Sequence, residues 1–235
     1  MGLFGLFRSV GKVKSVRKPK EPPVPYVPFQ VEEPVKGNYD SFYNAAKKYS
    51  LIMLITGKRG SGKTSLGMKF LEAMNKETKR SCYAIGFEHT KLPRWIRKAE
   101  DTEKVPNNSV VLVDEGAVAF SNRDAMKAPN KLLGKLMAIA RHKNLSMILI
   151  AQNSAMIDLN VLRLADVVLL KEPSLLQAKF ERKAIKEMYE KVKGKFEGLD
   201  DRHKYVYIWS DEFEGLVSYG LPEFWSERIS KSFAK

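Results

Sequence analysis

Residues 57–64 read Gly57-Lys58-Arg59-Gly60-Ser61-Gly62-Lys63-Thr64, three glycines interleaved with cations and ending in a lysine and a hydroxyl. Every fixed position of the pattern G-x-x-x-x-G-K-[ST] is met, and that spacing cradles phosphate. A triphosphate crowds negative charge into a small volume. The backbone must therefore wrap it closely, with N–H groups pointing inward, and glycine permits both the approach and the dihedrals. Lys63 is placed to reach the β- and γ-phosphates, and the Thr64 hydroxyl to ligate Mg²⁺. Gly57 through Ser65 form the expected nucleotide-binding set, with ATP and Mg²⁺ as its ligands.

Four further residues carry chemistry. The run Ser109–Val113 (SVVLV) leads into Asp114-Glu115. A β-branched apolar run ending in two acids reads as a buried parallel strand whose C-terminal end meets ligand. Asp114 fits the acid that holds Mg²⁺ through water, and Glu115 the base that orients an attacking water. Leu145–Ala151 (LSMILIA) is a second such run and ends in Gln152-Asn153. Gln152 is the expected sensor linking water or γ-phosphate to moving parts, though an amide at a strand end also serves as a plain cap. Arg141 precedes that run. It is the candidate cation that one subunit lends to its neighbour's transition state. An arginine at a helix C-terminus can equally satisfy carbonyls.

The elements that must hold these residues are legible around them. Ser50–Thr56 (SLIMLIT) is a β-prone run and Ser65–Asn75 a helical one, so the glycine loop lies between strand and helix, at a helix N-terminus that favours anions. Tyr39–Tyr49 reads as a helix before this strand. Its aromatics Tyr39, Phe42 and Tyr43 suit core packing better than contact with a base. Ser81–Phe87 reads as a strand, Leu92–Ala99 as a short helix, and Asp101–Asn108 as turns. Gly116–Pro129 is expected as a mobile loop beside the γ-phosphate, with Arg123 and Lys127 as solvated loop charges or contacts. Asn130–Ala140 is helical with an apolar face. Asp166–Leu170 is expected as a fifth parallel strand. Lys179–Lys195 reads as a basic surface helix or hairpin ending near Gly194, Tyr205–Trp209 and Gly215–Tyr219 as strands, and Leu221–Ala234 as a closing helix with Pro222 in its first turn.

Three segments follow. Residues 1–20 combine Leu3, Phe4, Leu6, Phe7 and Val10 with Arg8, Lys12, Lys14, Arg17, Lys18 and Lys20, and contain no acid. This is the pattern of an interfacial amphipathic helix with a basic flank, suited to an anionic membrane, a capsid protein or DNA; a disordered basic tail has the same composition. Residues 21–36 include five of the chain's eleven prolines. Proline excludes a regular helix or central strand there, leaving a linker or a strap anchored by Tyr26 and Phe29. Residues 37–235 form the catalytic domain. The net charge of +14 points to an anionic partner or to a lysine-rich surface. A single cysteine, Cys82, excludes an internal disulfide, and three scattered histidines offer no metal-ligand spacing. No run reaches the ~18 apolar residues of a membrane span. The expectation is a protein of the host cytoplasm, virion- or membrane-associated, and not secreted.

The loop Gly57–Thr64, the acids Asp114-Glu115, the pair Arg141-His142 and the strand-end Gln152 together resemble the FtsK–HerA group of DNA-pumping ATPases. The similarity is greatest to the genome-packaging ATPases of viruses with an internal membrane, and extends to zonula-occludens-toxin-like assembly ATPases. It covers Tyr49–Pro173 well, the C-terminal residues loosely and 1–37 not at all. The resemblance implies an α/β fold: a P-loop NTPase with a mostly parallel central sheet flanked by helices, of the RecA-like type with a strand added between the two phosphate-site motifs. It also implies ATP as substrate, a homo-oligomeric ring, and double-stranded DNA as cargo. No guanine-reading N-K-x-D is present. A nucleotide-gated adaptor at a membrane or capsid is the alternative from another class, and a helicase or plasmid-transfer ATPase shares the chemistry.

Overall fold

A computed structural model describes residues 25–114, 129–151, 159–173, 183–226 and 229. Among them, nine strands form one sheet in the order β1-β9-β8-β7-β2-β6-β5-β3-β4. In chain order the elements are β1 (Gln30–Gly37), α1 (Tyr39–Lys48), β2 (Ile52–Thr56), α2 (Lys63–Glu77), β3 (Cys82–Ile85), β4 (Ile96–Lys98), β5 (Val110–Asp114), α3 (Pro129–His142), β6 (Ser146–Ile150), α4 (Leu159–Leu164), β7 (Val167–Leu170), α5 (Lys183–Lys193), β8 (Tyr205–Ser210) and β9 (Phe213–Ser218). Strands β7, β2, β6, β5, β3 and β4 run parallel, and β8, β9 and β1 extend the sheet antiparallel.

The parallel strands are apolar on both faces because helices cover both, as parallel sheets require. Along β2, Met53 and Ile55 join the layer formed with α1 and α2, which contains Phe42, Leu66 and Phe70. Ile52 and Leu54 join the opposite layer with α3 and α5, which contains Met137, Ile185 and Val192. This alternation with period two splits the strand's apolar residues between two cores.

Three segments differ from expectation. Leu92–Ala99 is not a helix: Ile96 donates its N–H to Pro93 O at 3.0 Å, closing a turn, and Ile96–Lys98 then pairs with β3 as an edge strand. Residues 30–36, expected as linker or strap, form most of an edge strand on β9, so the sheet begins at Gln30 rather than near Gly37. Proline is tolerated because the edge needs fewer donors, and the register shifts on either side of Glu33–Pro34. Both expected anchors are in place. Phe29 is buried with its ring 4.6 Å from Phe70, and the Tyr26 ring lies 3.8 Å from the Lys69 ammonium. Residues 221–226 form a turn, with the Trp225 N–H on Pro222 O at 2.8 Å, not the start of a helix. Residues 1–20 and the loop 116–128 lie outside the described residues.

Candidate active site

The glycine loop joins β2 to α2, as the flanking sequences require. Gly57 has φ 144° and Gly62 has φ 88°, values that a residue with a Cβ rarely adopts. A Cβ on Gly57 would fall 2.7 Å from the Cβ of Lys171, so the loop's first residue is also fixed by contact. Gly62 is the residue before α2, and its carbonyl accepts from the Leu66 N–H at 3.0 Å and from Ser65 Oγ at 2.8 Å. Lys63 is buried, and its Nζ lies 2.9 Å from Gly57 O and 3.0 Å from Lys58 O, inside the turn of the loop. Ser61 Oγ is buried with no hydrogen-bond partner among the described residues. An orphaned hydroxyl in a glycine loop fits a ligand that brings its own oxygens.

Strand order places the acid. Strand β6 inserts between β2 and β5, and the registers Ile55↔Ile150 and Asp114↔Ile150 put Ile55, Ile150 and Asp114 in one row across the sheet. Two interstrand steps separate Asp114 from Ile55, about 10 Å. The loop begins just past Ile55, at the same C-terminal edge where ligands bind in open α/β sheets. Lys63, Thr64 and Asp114 therefore share one end of the sheet. Among the described residues no cluster of three His, Cys, Asp or Glu could hold a metal. Mg²⁺ takes one or two protein ligands and fills its shell with water and phosphate. Thr64 and Asp114 are the residues that would hold it. Glu115 and Gln152 lie outside the described residues, although each directly follows a residue at this edge, Asp114 and Ala151. The Ala151 N–H donates to Ile55 O at 2.9 Å, which keeps the end of β6 against the loop strand.

Arg141 is elsewhere. It ends α3 at the start of β6, and Nη2 donates to Leu164 O and to Asp166 Oδ1, both at 3.0 Å. Asp166 Oδ2 accepts the Ile52 N–H at 2.8 Å, which locates this cluster at the beginning of β2. The loop lies five residues further along, roughly 16 Å at strand rise. Within the chain, Arg141 anchors α3 to the strand starts and is not brought to the loop.

A second group touches the loop and was not picked out from the sequence. Lys171 and Glu172 follow β7. The Lys58 N–H donates to Glu172 O at 2.9 Å, and Glu172 pairs with Lys58 at 2.5 Å and with Arg202 at 2.7 Å. Burial pushes the Glu172 carboxyl up, but Lys58 and Arg202 outweigh it and hold it below the usual carboxylate range. The signal was available: two charged residues at the C-terminal end of an apolar strand, DVVLL followed by Lys171-Glu172.

No protein-family model matches the sequence, and no curated protein sequence does. Among solved structures, the genome-packaging NTPase B204 of Sulfolobus turreted icosahedral virus 2, in complex with AMPPCP, aligns with a TM-score of 0.51 at 14% identity, over 73% of this chain and 98% of that one. B204 of Sulfolobus Turreted Icosahedral Virus, a DNA-packaging ATPase, aligns at 0.46 and 17% identity over 71% and 96%. The pCW3 conjugation coupling protein TcpA with ATPγS aligns at 0.48 and 10% identity over 81% and 65%. The mixed sheet, its order and the likeness to the B204 packaging NTPase at a TM-score of 0.51 agree at the level of fold: the chain has a RecA-like P-loop α/β fold.

Proposed function

We propose that this chain is an ATP-hydrolysing motor that translocates double-stranded DNA, acting as a homo-oligomeric ring in viral genome packaging. The observation that supports the nucleotide chemistry is the insertion of β6 between β2 and β5, which puts Asp114 at the sheet edge where the loop of Lys63 and Thr64 begins. The loop N–H groups and Lys63 bind the β- and γ-phosphates. Thr64 and Asp114 would hold Mg²⁺, which would neutralise charge on the phosphate oxygens. Glu115 orients the attacking water, and Gln152 links the γ-phosphate to neighbouring loops. Arg141 is assigned here to anchoring. The DNA role is supported by the net charge of +14 and by the fold shared with a packaging NTPase. Contacts to the DNA backbone are expected to be salt-sensitive and nearly sequence-blind.

The test is ATP turnover with and without duplex DNA, run beside Glu115→Gln. Stimulation by duplex DNA, together with a variant that binds ATP but does not turn it over, is the expected result. Turnover unchanged in Glu115→Gln overturns the base assignment. Stimulation by anionic vesicles and not by DNA overturns the motor in favour of a membrane adaptor.

A further inference from the structure

Directly behind the phosphate loop lies a lysine that the chemistry above does not use. Lys171 is fully buried. Its N–H donates to Thr56 O at 2.8 Å, at the last residue before the loop. Its ammonium donates to His203 O at 2.7 Å, to Tyr205 O, and to the Tyr219 hydroxyl at 2.8 Å. That hydroxyl in turn donates to His203 O at 2.9 Å. The side chain passes beneath both glycines that close the loop. A Cβ on Gly57 would meet Lys171 Cβ at 2.7 Å, and one on Gly62 would lie 3.5 Å from His203 O and 3.8 Å from Lys171 Cε.

A buried ammonium is costly unless its protons are matched and a counter-charge is near. Here the direct acceptors are two carbonyls and a hydroxyl, all neutral. Burial lowers the Lys171 pKa to about 7, against the pull of Asp201 and Glu172. The other ionisable groups around it are Tyr219 beyond β9, His203 in the turn before β8, and Lys58 and Lys63 of the loop. Neighbouring carboxylates therefore leave its charge only partly compensated, and a polyanion seated in the loop would complete it.

We propose that Lys171 is a positioning residue for nucleotide binding, a cation beneath the phosphate loop that fixes its two glycine ends and ties them, through His203, Tyr205 and Tyr219, to the C-terminal hairpin β8–β9. The proposal rests on the assignment of Gly57–Ser65 to a nucleoside triphosphate. An anion above the ammonium favours its charged form, so binding takes up a proton near neutral pH. The hairpin is in consequence attached to the phosphate loop itself.

The experiment is titration calorimetry of Mg·ATPγS at pH 7.5, in two buffers of different ionisation heat. The proteins are wild type, Lys171→Met, Tyr219→Phe and Lys63→Ala. Wild type is expected to take up a fraction of a proton. Lys171→Met is expected to bind about tenfold more weakly, one pK unit's worth, without proton uptake. Tyr219→Phe keeps the charge and the uptake and binds more weakly by a smaller factor. Lys171→Met binding within about twofold of wild type, or wild type binding with no proton uptake, overturns the proposal. Should Lys171→Met fail to fold, wild-type uptake decides, because it needs no variant. Failure of the nucleotide assignment itself is distinguishable: wild type would not bind, or Lys63→Ala would bind as tightly as wild type.

Discussion

Lys63 and Arg141 are both cations at a helix terminus, and their surroundings give them different work. Lys63 is at the start of α2, buried among loop carbonyls, at the sheet edge that carries Asp114. Lys63→Ala is expected to lower kcat/KM for ATP by at least about 10²-fold, because the electrostatic stabilisation of transferred phosphoryl charge is lost; steady-state kinetics with purified protein checks this. Arg141 closes α3 at the other end, half exposed and paired with Asp166. An exposed pair is worth roughly 0–1 kcal/mol. Arg141→Ala is expected to lower the melting temperature by a few degrees and leave DNA-stimulated turnover within about twofold, whereas a lent catalytic arginine would cost about 10³-fold or more. Glu172 supplies a pH signature. Its folded pKa is depressed, so its contribution is present above the unfolded value and disappears as pH falls through the folded one. Melting temperature measured from pH 6 to 3 should fall less steeply in Glu172→Gln than in wild type.

At the scale of elements, the edge strand β1 belongs to the sheet and is tied to the core by the residue before it. Gln30–Gly37 is exposed along its whole length, yet Phe29, immediately before it, packs against Phe70, Tyr219 and Tyr43. The same helix buries the pair Lys69–Glu72 at 2.7 Å, and Glu72 Oε1 accepts the Glu223 N–H at 2.7 Å. The helix that begins at the phosphate loop is thus gripped by residues from both ends of the described chain. Phe29→Ala is expected to destabilise the protein by about 3 kcal/mol, the low end for a buried phenylalanine. Denaturant unfolding measures it, and a loss under about 1 kcal/mol would show the strand to be an accessory.

For the whole molecule, the excess of 41 lysines and arginines over 27 acids is a statement about partners rather than fold. If the molecule carries duplex DNA, affinity should fall linearly on a log–log plot against salt, with a slope near −0.9 per phosphate contacted. Random and fixed-sequence duplexes should bind within about threefold of each other. Fluorescence anisotropy over a salt series checks both. A salt-independent affinity would show that the charge serves solubility alone.

Local rules reached far in this chain, for identifiable reasons. The glycine loop, the strand before it and the helix after it were legible because phosphate binding demands particular residues at fixed spacing, and β5, β6 and β7 because strands covered on both faces are continuously apolar. The sequence determined which residues could bind nucleotide. It did not determine β1 or β4, because an edge strand needs only a partner's hydrogen bonds, and neither Pro34 in one nor three residues in the other leaves a local pattern. Nor did it show that Arg141 sits by the strand starts of its own chain: where α3 ends depends on the direction in which the helix returns across the sheet. The juxtaposition of Lys171 with Gly57 and of His203 with Gly62 likewise exists only in three dimensions. It joins a strand end, a loop and a turn that no periodicity relates, and it was decided by the packing of one sheet.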